Sequence, residues 1–71
     1  MIVDGKKFKL EATHHNDSPV SGKYTDYFLT GPRGGECILR VWANPKFRTE
    51  MLKLSGITST RWVRVSKWEL C

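Results

Sequence analysis

Two runs of side chains suited to a pleated surface, KYTDYFLT at 23–30 and ECILRVW at 36–42, flank the turn Gly31-Pro32-Arg33-Gly34-Gly35. Aromatic and β-branched residues pack well on a sheet, and glycines let the chain reverse between them, so this stretch reads as a β-hairpin. Any fold the chain adopts must be built around it. With 71 residues there is room for one core only, so a single domain spanning 1–71 is expected. A chain of this length buries roughly 60% of the surface its unfolded form exposes, so large side chains must carry the core. Three Trp, three Phe and two Tyr supply that bulk, and each buried ring removes about 150–250 Å² from water.

Around the hairpin the pattern changes several times. Asp4-Gly5 sits between short extended runs, and both residue types tolerate the positive φ of a tight turn. From Lys7 to Thr13 the residues alternate, with Phe8, Leu10 and Ala12 on one face, which predicts a half-buried strand. Residues 14–22, HHNDSPVSG, lack any helical or strand period and predict a surface loop. Asn44-Pro45 resembles an N-cap followed by proline at the first helical position, and Phe47, Met51 and Leu54 recur at helical spacing ahead of Gly56. A short amphipathic helix over 45–55 is expected. Residues 61–70 alternate again, with Val63 and Val65 on one side and Trp62, Arg64, Ser66, Trp68 and Leu70 on the other. The expected class is therefore α+β, in the order β-β-β-α-β with a further short strand at the start allowed. It would form a small antiparallel sheet carrying one helix, or a partly open barrel.

Charge narrows the function classes. Twelve Lys and Arg against seven Asp and Glu leave a net charge of +5, which favours anionic partners and disfavours a nucleic-acid mimic. Residues 1–35 hold five basic and four acidic side chains, and residues 36–71 hold seven and three, so the surplus lies in the second half. The N-terminal stretch lacks a basic segment leading into an apolar run, and no membrane span is visible, so a cytoplasmic protein is expected. In that compartment Cys37 and Cys71 are expected to be free thiols.

The candidate binding residues are Arg33, Arg40, Arg48, Arg61, Trp62, Arg64, Lys67 and Trp68. A strand sends alternate residues to one face, so Trp62, Arg64 and Trp68 would form a cationic, aromatic platform on which bases stack. The competing reading is that the indoles fill the core while arginine stems pack along them. Arg33 in the glycine-rich turn would meet a phosphate, or simply belong to a plain turn, since the lysine and hydroxyl of a P-loop are missing. His14 and His15 have neither the spacing nor the paired cysteines of a structural zinc site. No catalytic motif or cofactor fingerprint is present, so no enzyme activity, cofactor, metal or small-molecule substrate is expected. The leading expectation is a small basic module contacting nucleic acid through phosphate and stacking contacts. The alternative is a protein-binding regulator or inhibitor, of the kind phages encode, docking on a larger host complex such as the transcription machinery. The chain would be a monomer, or a dimer paired through an exposed strand edge.

Overall fold

The computed structural model describes residues 1–55, 58–59 and 61–70. Two antiparallel sheets account for the described secondary structure. β1 (Ile2–Val3), β2 (Lys6–Lys7) and β9 (Trp68–Glu69) form a small sheet in the order β2-β1-β9. The large sheet has six strands. β3 (Lys9–Ser18), β4 (Gly22–Thr30), β5 (Glu36–Trp42), β6 (Glu50–Ser55) and β7 (Thr58–Ser59) follow one another in space, and β8 (Val63–Arg64) pairs with β6. The class is all-β, not α+β.

The helix expected over 45–55 is the main correction. Asn44 does cap, but it caps a turn: its Oδ1 accepts the Lys46 N–H at 3.0 Å and its carbonyl accepts the Phe47 N–H at 3.1 Å. The next residues then extend as β6. Met51 stands opposite Leu39 and Leu54 opposite Glu36, so these two residues of the expected helical stripe, three apart, fall on opposite faces of a sheet. Tertiary pairing along β5 overrides a weak local helical signal here. Gly56, expected to terminate the helix, lies outside the described residues, as does Cys71.

The loop expected at 14–22 is shorter than the sequence suggests. β3 runs to Ser18, pairing with β4 from Lys9↔Thr30 through Ser18↔Gly22, and only Pro19-Val20-Ser21 turns. The Ser18 Oγ accepts the N–H groups of Val20 and Ser21, each at 3.3 Å, and Gly22 takes a φ of +83°. Residues 14–17 of β3 are polar and exposed, so this half of the strand carries no apolar alternation to announce it. A bulge between Leu10 and Ala12 leaves Glu11 unpaired with β4. The bulge breaks the alternation of Phe8, Leu10 and Ala12: Leu10 stands opposite the core residue Leu29, whereas Ala12 stands opposite Phe28 on the outer face.

The two sheets share one core. Val3 from β1, with Phe8 and Val65 from the connecting segments, packs against Leu29, Cys37, Leu39 and Met51 of the large sheet. Met1, Tyr27, Val41 and Trp68 close its margins. On β5 the core residues alternate, Cys37, Leu39 and Val41, so Ile38, Arg40 and Trp42 necessarily point to the opposite face.

The stretch 61–70 is not one strand. β8 belongs to the large sheet and β9 to the small one, and the chain crosses between them at Val65–Lys67. The Val65 N–H donates to the Thr49 carbonyl at 2.9 Å, and Asp4 Oδ1 then accepts the N–H groups of Ser66 and Lys67, each at 3.0 Å. Asp4 is held for this by the tight Asp-Gly turn, where Asp4 has φ 48° and Gly5 φ 82°.

Candidate nucleic-acid interface

The face of the large sheet turned away from the core is built by strand register. Tyr24 stands opposite Trp42, Asp26 opposite Arg40, and Phe28 opposite Ile38. β6 and β8 extend the second row, because Arg40 pairs with Glu50 and Glu50 with Arg64, while His14 of β3 faces Asp26 at the other end. The row Asp26, Arg40, Glu50, Arg64 thus alternates in charge across four strands, an arrangement that favours this register over its neighbours.

Arg40 is the hub. Its Nε donates to Asp26 Oδ1 at 2.8 Å and its Nη2 to Asp26 Oδ2 at 3.0 Å, a bidentate pair with a buried carboxylate. Its Cζ lies 4.3 Å from the centre of the Tyr24 ring, 4.6 Å from Trp62 and 5.7 Å from Trp42. The hydrogen bond to Asp26 raises the guanidinium pKa, burial opposes that, and the charges of Asp26, Tyr24 and Glu50 add to the rise, so Arg40 stays cationic. Tyr24 and Trp42 are 4.6 Å apart, and Trp42 and Phe47 5.1 Å, so three rings run in a chain from β4 to the turn after β5. On the neighbouring row, Phe28, Ile38 and Leu52 are half-buried, and His14 meets the Phe28 ring edge-on at 5.0 Å.

Exposed cations border the rings. Lys46 and Arg48 flank Phe47, Arg61 precedes Trp62, and Arg64 ends the charged row, whereas Lys23, next to Tyr24 on β4, points to the opposite face. Of the residues singled out from sequence, Arg40, Trp62 and Arg64 therefore share this face, with Arg48 and Arg61 at its border. Arg33 lies in the β4–β5 turn at the opposite end of the hairpin, and Lys67 lies in the crossing to the small sheet. Trp68 packs against the core, with its ring 5.5 Å from Tyr27. The two tryptophans expected to share a platform are separated because β8 and β9 belong to different sheets. Sequence reasoning missed Tyr24, Trp42 and Phe47. The first two were legible, since a hairpin turning at 31–35 that pairs Thr30 with Glu36 also pairs Tyr24 with Trp42. Phe47 was hidden by its place in the supposed helical stripe.

Elsewhere, His15 Nδ1 lies 3.1 Å from Thr25 Oγ1. Among the described residues, no group of three or more His, Cys, Asp or Glu side chains is placed to hold a metal ion. No helix in that set is long and apolar enough to cross a membrane. Neither a protein-family model, a curated protein nor a solved structure was found to match the chain.

Proposed function

We propose that this protein binds single-stranded nucleic acid on the outer face of its large sheet. One observation carries the reading: three rings, Tyr24, Trp42 and Trp62, gather around Arg40 on a sheet face, Phe47 packs on Trp42, and four exposed cations, Lys46, Arg48, Arg61 and Arg64, adjoin them along the chain or in the register. Bases stack on such rings at about 1–3 kcal/mol each, and every base offers a π-face, so the binding is tolerant of sequence. A duplex hides those faces within its stack, which selects for the single strand. Lys46, Arg48, Arg61 and Arg64 meet the phosphates. Arg40 does not, because its guanidinium is already committed to Asp26; its part is to hold the rings in place.

Titrating the protein with oligo-dT or oligo-U while following tryptophan fluorescence tests this. Quenching that saturates, is weaker with duplex, and falls about 50-fold in affinity between 50 and 200 mM salt is expected for roughly four phosphate contacts. Affinity that ignores salt, or equal binding of duplex and single strand, would rule it out.

A second reading has its own support. The row Phe28, Ile38 and Leu52 is apolar and bears no cation, as a protein-docking surface would be. A regulator or inhibitor using this face would retain a stoichiometric protein from nuclease-treated lysate, and would lose it on Ile38→Asp. The nucleic-acid reading expects nuclease to abolish such retention.

A further inference from the structure

The other side of the large sheet carries a different feature. Between the β4–β5 turn and the β1–β2 hairpin lies an open groove of about 660 Å³, lined by Lys6, Phe8, Gly31, Pro32, Arg33, Gly35, Cys37 and Lys53. Its cations come from three separate parts of the chain: β2, the glycine-rich turn and β6. Its lining includes no carboxylate. Among the described residues the ion pairs are Lys9–Glu11 and Arg40–Asp26, so neither Lys6 nor Arg33 has its charge met by an acid there.

The groove is held from below. Gly31 N–H donates to the Gly35 carbonyl at 2.7 Å and Gly34 N–H to the Gly31 carbonyl at 2.9 Å, which closes the turn that carries Arg33. Gly34 has a φ of +84°, a conformation that a side chain would strain. A Cβ at Gly31 would lie 3.5 Å from the Phe8 ring, so the turn rests close on that ring. Phe8 is in turn fixed by backbone bonds at both ends: its N–H donates to the Met1 carbonyl at 2.8 Å, and its carbonyl accepts the Met1 ammonium at 2.9 Å. The floor, Phe8 and Cys37, is buried and apolar, and charges over a low-dielectric floor interact more strongly than charges in open water. Lys6 and Arg33 are like charges that no acid meets, so they repel one another, and an anion seated between them relieves that repulsion.

We infer that this groove is a binding site for a phosphoryl group, held by Lys6 and Arg33 with Lys53 behind them. Arg33 offers the planar fork that matches two phosphate oxygens, and the lysines act as point charges. The inference does not depend on the aromatic face, which lies on the opposite side of the sheet.

The test is a titration of the isotope-labelled full-length protein with sodium pyrophosphate at constant ionic strength, read from backbone amide shifts. Saturable shifts confined to Lys6, Arg33, Gly34, Gly35 and Lys53 are expected. Arg33→Ala and Lys6→Ala should each weaken binding about tenfold, the loss of one charge-assisted contact, with melting temperature unchanged because both residues are exposed. Trp62→Ala should leave pyrophosphate affinity as it was. Shifts that never saturate, that spread over lysines throughout the chain, or that survive Arg33→Ala and Lys6→Ala unweakened would overturn the site. A second arm identifies the source of the phosphoryl group. If it belongs to a nucleic-acid strand, Arg33→Ala also weakens oligonucleotide binding; if it is free, oligonucleotide affinity is untouched while pyrophosphate affinity drops. Loss of oligonucleotide binding in Trp62→Ala alone would concern the aromatic face and leave the groove standing.

Discussion

Arg40 and Asp26 face each other across the β4–β5 ladder with both guanidinium–carboxylate contacts at 3.0 Å or less, and the carboxylate is the buried member. Removing the arginine therefore strands an ionised group with its hydrogen-bonding partners gone, and also withdraws the cation between Tyr24 and Trp62. Arg40→Ala should destabilise the protein by about 2–4 kcal/mol, below the fully buried range because Arg40 itself is only half-buried. The double change Arg40→Leu with Asp26→Leu should recover much of that loss. Chemical denaturation of the three variants decides it; equal stability of Arg40→Ala and the parent would show that the pair contributes nothing.

Trp62 and Trp68 occupy different environments, so the same substitution should have opposite readouts. Trp62→Ala is expected to weaken oligonucleotide binding by about 1–3 kcal/mol, the worth of one stacked base, with a small change in melting temperature. Trp68→Ala removes a ring packed on the core and on Tyr27. It should cost about 3 kcal/mol of stability, at the low end for a large aromatic because the ring is not fully enclosed. Paired measurements of affinity and thermal unfolding check both, and a Trp68 variant that is stable but fails to bind would contradict the assignment.

Asp4 clips the crossing between the sheets through two backbone N–H groups, Ser66 and Lys67. Asp4→Ala should cost about 1–2 kcal/mol in chemical denaturation, the range for bonds to a charged acceptor at an exposed position. Amide exchange should quicken at Ser66 and Lys67 before it does at Leu39. Asp4→Asn keeps one acceptor oxygen and the tolerance for positive φ, and should fall between the two.

Burial pushes the Cys37 thiol up, and the nearby Lys53 charge offsets part of that rise. The folded state therefore holds its thiol proton more tightly than the unfolded state does. The corresponding stability is fully present below the ordinary thiol value of about 8.5 and is lost as pH climbs from there through the folded pKa. In a Cys71→Ser background, stability should decline over that alkaline window more steeply than in the same protein carrying Cys37→Ala. At pH 8 the thiol should react with a thiol reagent far more slowly than in the denatured chain. Full-speed labelling of the folded protein would show Cys37 to be open to solvent.

How far the sequence reveals this architecture depends on where local and long-range forces agree. The hairpin of β4 and β5 and the Asp4-Gly5 turn are legible, because alternation, turn chemistry and tertiary pairing coincide there. β6 is not, since Phe47, Met51 and Leu54 satisfy a helical period by accident and only the register with β5 reveals a strand. The first half of β3 falls within the strand expected at 7–13, but 14–18 escape detection because they are polar on both faces. At the candidate interface, Arg40, Trp62 and Arg64 emerge from composition and alternation alone. Tyr24 and Trp42 emerge only when the hairpin register is drawn out, and Trp68 leaves the face of Trp62 because the Asp4 clip redirects the chain at Ser66 and Lys67 in a way no local pattern records.

The pairing of β1 with β9, Ile2 opposite Glu69 and Val3 opposite Trp68, bears on how the protein is made. On the ribosome, β3, β4 and β5 are complete before β9 emerges, so the apolar side of Leu29 and Leu39 has Val3 and Phe8 at hand but must wait for Met51, Val65 and Trp68 to complete its cover. Contacts so distant along the chain form slowly. That interval, more than the finished structure, is when this protein is most exposed to aggregation and most dependent on whatever shields nascent chains.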